Sequence, residues 1–264
     1  MKWISFTKER FPGISREVRD LRYTTKALVR AAATAGLKLP RWSRSAAARA
    51  DETMRINALR SAVDMSGPFL IPTPEFLAAG STDKAHKSFY VGNALCAHAA
   101  YSELNVPWLV DVERLGPEYK VTTSLGSKRR PDFLAWDTRS RWYVFESKGR
   151  SVRPTQPMLR DWKVQARAIR QVNGSAVTLN IVSAAYVSNT KHWELLWLDP
   201  PSEPDDVSLE IDELSFFEAY YESLIALIES GGGRLSGPFG PLSYIPGLGA
   251  YLGLHREVLG ALLS

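Results

Sequence analysis

Between Arg129 and Arg150 the chain reads RRPDFLAWDTRSRWYVFESKGR, and this string constrains the fold more than any other. Two short runs rich in aromatic and β-branched residues flank the polar DTRSR, the pattern of two strands joined by a turn. In an antiparallel hairpin the numbers of facing residues sum to a constant, and a turn centred on Arg139 makes that constant 278. Trp136 then faces Trp142, Leu134 faces Val144, and Asp132 faces Glu146. Side chains alternate along a strand, so these six share one face with Lys148, while Phe133, Ala135, Tyr143 and Phe145 share the other. Away from the open end both faces are apolar, so the hairpin belongs inside a sheet covered on both sides.

The open end is a different matter. Two carboxylates about 5 Å apart repel by roughly 3 kcal/mol at an effective dielectric near 20. Partial burial beside aromatic rings adds a desolvation cost. Folding alone does not favour acids there, and a divalent cation resolves the conflict, since hard Mg²⁺ prefers carboxylate and water oxygens. Lys148 is then placed to orient an attacking water or to stabilise charge developing on a phosphorane-like transition state.

The surroundings suit a sheet protein. Phe89 to Leu104 reads as a buried helix, Trp108 to Leu115 as a strand, Pro154 to Val172 as a helix stopped by Asn173-Gly174, and Ala176 to Val187 as a buried strand. HWELLWLDP is a further strand candidate. The order α-β-β-β-α-β between residues 86 and 190 predicts a mixed sheet with helices on both faces. Before it, Ile14, Val18, Leu21 and Leu28 fall near the helical period, and Ser45 to Val63 predicts a second helix. GPFLIPTPEF breaks regularity and AAGSTDKAHKS reads as a loop, which puts a boundary near residue 85. After it, Glu213 to Ser230 predicts a helix, a Gly/Pro-punctuated segment follows, and Leu254 to Leu263 predicts a last helix. Three regions follow: a basic helical segment over 1–85, a core over 86–200, and an acidic helical extension over 201–264.

Charge follows the same division. The net charge of +5 is the sum of +7, +6 and −8 over those regions, which suggests one side facing a polyanion. The first residues show no apolar leader, and no apolar run approaches the roughly 18 residues of a membrane span. A single cysteine, Cys96, and the absence of zinc-type Cys/His spacing fit a reducing cytoplasm.

With these residues in place, Pro131-Asp132, a strand, a turn and Glu146-Ser147-Lys148 resemble the PD-(D/E)XK, or restriction-endonuclease-like, nuclease superfamily. The resemblance covers about residues 86–190 and implies a restriction-endonuclease-like core with helical N- and C-terminal extensions. It implies that Asp132 and Glu146 bind Mg²⁺ (Mn²⁺ as a substitute) and that Lys148 is catalytic. Members often place a lysine or glutamine on the following helix against the scissile phosphate, which points to Lys163 and Gln165. Gln165 does not continue into the QxxxY pattern of RecB-like exonucleases, because Ile169 stands where the tyrosine would be. Lys128, Arg129, Arg130 and Arg150 flank the motif as candidates for phosphate contacts. Glu113 and Glu103 are weaker candidates for a third metal ligand, and a structural role suits both better.

The expected activity is Mg²⁺-dependent hydrolysis of nucleic acid, DNA in preference to RNA, in restriction, repair or defence. The alternative is an inactive nucleic-acid-binding or assembly subunit with a nuclease-like fold. The acidic C-terminal segment is a candidate surface for a homodimer or a protein partner. Other chemistries fit poorly: the four histidines are scattered, there is no GxSxG elbow, and GSTDKAHKS lacks the second glycine of a phosphate-binding loop.

Overall fold

A computed structural model describes residues 2–36, 46–115, 122–123, 130–199, 208–230, 235–237, 240–246 and 249–263. The chain opens with a hairpin, β1 (Lys2–Phe11) and β2 (Ile14–Tyr23), joined by Pro12-Gly13 with Gly13 in the left-handed region at φ 75°. The helix expected from Ile14 onward is therefore a strand as far as Tyr23. Ile4 and Phe6 on β1 and Leu21 and Tyr23 on β2 face inward at period two, whereas Val18 is 59% exposed.

Helices α1 (Thr25–Thr34) and α2 (Ala46–Ala62) follow, then a short ribbon of β3 (Val63–Asp64) and β4 (Ile71–Pro72). Next come α3 (Pro74–Ala78) and the long α4 (Ser81–Leu104). The polar stretch read as a loop is thus the first turns of α4, and the expected boundary at residue 85 falls inside this helix. Polarity there reflects exposure: residues 81–87 are exposed or half-exposed on a helix whose later turns are buried.

Strand β5 (Trp108–Asp111) ends in a 3₁₀ turn, β6 (Thr122–Thr123) is a short bridge, and β7 (Phe133–Trp136) and β8 (Trp142–Arg150) form the central hairpin. After α5 (Gln156–Ala166) come the small hairpin β9 (Gln171–Val172) and β10 (Ser175–Ala176), then β11 (Leu179–Val187) and β12 (Trp193–Leu198). The helix expected as far as Val172 ends six residues earlier, and Asn173-Gly174 turns a hairpin instead of capping a helix. The chain ends with β13 (Ser208–Glu210), α6 (Glu213–Ser230), β14 (Leu235–Gly237), β15 (Gly240–Ile245), β16 (Ala250–Gly253) and α7 (Arg256–Leu263). The Gly/Pro-punctuated segment after α6 therefore contains a three-stranded antiparallel sheet.

The main sheet is seven-stranded and mixed, in the order β2-β1-β12-β11-β8-β7-β5. β1 runs parallel to β12 and β11 parallel to β8; every other neighbour is antiparallel. Helices α1, α2 and α4 cover one face. On the other, α5 packs over β11 and β12, and α6 packs over β5, β7 and β8. Trp136 and Trp142 stack at 4.7 Å and are met by Phe216 and Phe217 of α6. Burying Phe216 completely is worth about 1.5–3 kcal/mol. The acidic C-terminal helix is thereby fastened to the sheet by its aromatic face. Among the described residues, no helix is long and apolar enough to cross a membrane.

The N-terminal segment is no separate region. β1, second from one edge of the main sheet, pairs with β12, and Ile4 and Phe6 are fully buried. α4 crosses β8 backbone to backbone: a Cβ on Gly149 would lie 1.6 Å from the Ser88 carbonyl oxygen, and one on Gly92 would lie 2.7 Å from the Gly149 nitrogen. Only glycine at both positions allows so close an approach.

Candidate active site

The β7–β8 pairing has Phe133 opposite Phe145, Leu134 opposite Val144, Ala135 opposite Tyr143 and Trp136 opposite Trp142. Each pair sums to 278, and the two faces divide as the alternation requires. Leu134, Trp136, Trp142 and Val144 join the core beneath α6, while Phe133, Ala135, Tyr143 and Phe145 join the core beneath α4.

Asp137 fixes this register. Its carboxylate accepts from the backbone nitrogens of Arg139 and Arg141, both at 2.9 Å, from Arg141 Nε at 2.8 Å and from the Tyr143 hydroxyl at 3.1 Å. Burial pushes its pKa up, but the Arg141 and Arg139 donors and the Tyr143 hydroxyl outweigh it and hold the carboxyl below its usual range. An aspartate that caps its own turn is legible as a type of residue, but its burial beneath Tyr143 is a tertiary feature that the local pattern does not contain.

At the open end, Lys148 Nζ lies 3.1 Å from Asp132 Oδ2 and in ion-pair contact with Glu146 Oε1. The backbone nitrogen of Ser147 also donates to Asp132 Oδ2, at 2.8 Å, a contact the side-chain pattern alone does not contain. Val112 N donates to the Asp132 carbonyl at 3.0 Å and holds the backbone at that point. Asp132, Glu146 and Lys148 therefore converge. The cluster opens outward on one side only: the Asp132 and Lys148 side chains are 29% and 26% exposed, and that of Glu146 is wholly buried.

The electrostatics follow from that burial. Desolvation first, and then the charge of Asp132, push Glu146 up to about 7 against the pull of Lys148. Burial works to lower the Lys148 ammonium, but Asp132 and Glu146 together overcome it and raise its pKa above the ordinary value. Lys148 is the partner of Glu146 Oε1, and Glu146 Oε2 makes no hydrogen bond among the described residues. Buried acceptors are ordinarily satisfied, so this acid has unused capacity for a cation.

A divalent ion fits the donor set. Asp132 and Glu146 offer only oxygens, which suits Mg²⁺ or Mn²⁺. Among the described residues no third His, Cys, Asp or Glu joins them to form a larger ligand group. The remaining positions would fall to water and phosphate oxygens, the manner in which Mg²⁺ is commonly held.

The other sequence candidates scatter. Lys128 and Arg129 lie outside the described residues. Arg130 is exposed immediately before Pro131, and Arg150 is exposed at the end of β8, where it pairs in register with Tyr186. Lys163 and Gln165, two residues apart on α5, point about 200° apart and cannot both face one site. Lys163 turns to Arg10, Arg167 and Glu9 near the far edge of the sheet, where burial and the two arginines lower its pKa. Gln165 is half-buried on α5. Glu103 binds Lys8 at 2.7 Å and also Arg19, both of the N-terminal hairpin, and so has a structural role instead of a ligand role. Glu113 is exposed on the 3₁₀ turn after β5.

No family model matches the chain, and no match is found among curated proteins or solved structures.

Proposed function

We propose that this chain is a divalent-metal-dependent nuclease with a restriction-endonuclease-like core, hydrolysing phosphodiester bonds of nucleic acid. One observation carries the reading. A wholly buried glutamate, paired with Lys148 through one oxygen and with its other oxygen unbonded among the described residues, is held beside a second acid at the open end of a hairpin whose register brings all three together. The order α4-β5-β7-β8-α5-β11 supports it, since it repeats the α-β-β-β-α-β arrangement of that core.

In this reading Asp132 and Glu146 hold the cation, which supplies charge neutralisation and polarisation of the scissile phosphate. Lys148, beside both carboxylates, would stabilise negative charge developing on phosphate oxygens. Arg130 and Arg150, both exposed and each two residues from a member of the cluster, would contact the neighbouring backbone.

The second reading, a nucleic-acid-binding or assembly subunit without turnover, draws on one fact: Lys148 already contacts both carboxylates and neutralises part of their charge. Incubation with plasmid, linear and single-stranded DNA and with RNA, in Mg²⁺, Mn²⁺ or EDTA, separates the two. The nuclease reading expects metal-dependent cleavage that Asp132→Ala and Lys148→Ala each abolish while binding persists. Lys148→Arg should not restore it, because guanidinium is larger and differently hydrated. Cleavage that persists undiminished in both alanine variants would remove the site from consideration.

A further inference from the structure

The contact between α4 and β8 places an exposed aromatic residue at the same end of the sheet as the cluster, on the face opposite the Glu146 and Lys148 side chains. Ser88 abuts Gly149, the residue after Lys148, and Gly92 abuts Lys148 and Gly149. Four residues on from Phe89, Asn93 lies against Gly36, which also touches Phe133, the residue after Asp132. One helical turn earlier, Phe89 therefore stands near the level of Asp132 and Gly149, on the flank of α4 that faces β7. It is 43% exposed and edge-on to Tyr90 at 5.2 Å.

A second aromatic sits on the same end of the sheet. Trp3 N donates to the Pro68 carbonyl at 2.7 Å, and Trp193 N donates to the Leu70 carbonyl at 2.8 Å. Phe69 bridges Trp3, so this segment continues the position of β12 beyond its first residue. Phe69 is 37% exposed and stacks on His192 at 5.4 Å. β12 is two strand positions from β8, about 10 Å at ordinary strand spacing. Between the two aromatic positions lie two exposed cations, Arg150 at the end of β8 and Lys191 in the turn from β11 to β12.

We propose that this end of the sheet is a track for single-stranded nucleic acid. Phe89 and the Phe69–His192 pair are stacking platforms for unpaired bases, and Arg150 and Lys191 contact the backbone. The choice of nucleic acid as occupant rests on the nuclease reading above; the preference for unpaired strands rests on the rings. Phenylalanine offers nothing to a phosphate or to the edge of a base pair. It favours only a base whose π-face is free, and inside a duplex both faces are covered by neighbouring pairs.

The test is equilibrium binding in EDTA, with a fluorescent single-stranded oligodeoxynucleotide and the same sequence as a blunt duplex. The wild type should prefer the single strand. Phe89→Ala should weaken that binding by roughly fivefold to a hundredfold, the range for losing one base–aromatic stack, and leave duplex binding unchanged. Phe89→Leu keeps the apolar bulk without the π-face and should lose as much, whereas Phe89→Trp should retain affinity. Equal affinity for duplex and single strand, or wild-type single-strand binding by Phe89→Leu, would overturn the track. Metal-dependent cleavage of duplex with no dependence on Phe89 would leave the nuclease reading standing without the track. Phe89-dependent single-strand binding with no cleavage in Mg²⁺ or Mn²⁺ would leave the track standing without the nuclease.

Discussion

Replacing Glu146 with glutamine should remove the metal-free protein's loss of stability between mildly acidic and mildly alkaline pH, and with it the response to metal. In the folded chain the Glu146 carboxyl is raised from 4.5 to about 7. Between these values the folded state binds the proton that the unfolded state releases, so stability falls as pH rises through this window and is flat above it. A rise of that size corresponds to about 3 kcal/mol lost by about pH 8. Glutamine does not titrate. It leaves an unsatisfied amide and costs Lys148 one partner, but those penalties are the same at both pH values. The difference in unfolding free energy between variant and wild type should therefore swing by about 2–3 kcal/mol in the variant's favour between about pH 5 and about pH 8. Urea melts in EDTA at the two pH values measure it. A saturating divalent cation at the higher pH should then stabilise the wild type, by about 2.7 kcal/mol at a hundredfold excess over Kd, and leave the variant unmoved. Parallel pH profiles for the two proteins would mean that Glu146 is an ordinary ion-pair partner of Lys148, and the argument from its burial would fail.

Asp137→Ala should destabilise the fold by about 2–4 kcal/mol, because four donors lose a buried charged acceptor; thermal melts read the loss. Since the Asp137 carboxyl is held below its usual 3.8, its contribution is present above that value and is lost as pH falls through the lower, folded pKa. The stability deficit of Asp137→Ala should accordingly shrink in strong acid, and a deficit independent of pH would contradict it. Gly149→Ala puts a methyl group onto the Ser88 carbonyl and should cost about 3 kcal/mol or more, since α4 or β8 must move; a normal urea midpoint would refute the close crossing.

The cluster was legible because everything that sets it is local. A turn, an alternation and a register lie within the string from Arg129 to Arg150, and the observed pairs follow the constant derived from it. The N-terminal hairpin was not legible, because its partners are distant: β1 lies against β12, and nothing near residue 5 announces residue 194. Its second strand also misleads by composition. Ile14, Val18 and Leu21 sit at helical spacing, but the inward residues are Leu21 and Tyr23, and Val18 faces out. Polar residues at the start of α4 likewise read as loop, although polarity on an exposed helical turn is no breaker.

The charge division along the chain shows how far such a reading reaches. The basic N-terminal segment suggested one cationic side, but a strand hands successive residues to opposite faces of a sheet. Arg16 pairs across the hairpin with Glu9, 3.7 Å away, on the α5 face. Arg19 lies over the Phe6 ring and contacts Glu103 on the α4 face. Arg55 is buried and gives its guanidinium to the Ala35 and Gly36 carbonyls at the end of α1. Arg19 and Arg55 are thus committed to contacts within the fold, Arg16 lies on the other face of the sheet, and the three do not form one cationic surface. Removing residues 1–60 would take away β1, β2, α1 and most of α2 and leave an edge of β12 unpaired, so the loss of binding that followed would report on folding and not on a cationic side. On the nuclease reading proposed above, contact with a polyanion would be sought where cations lie at the cluster's end of the sheet, at Arg130, Arg150 and Lys191. That grouping was invisible in the running charge because it is assembled from the start of one strand, the end of another and the turn after a third.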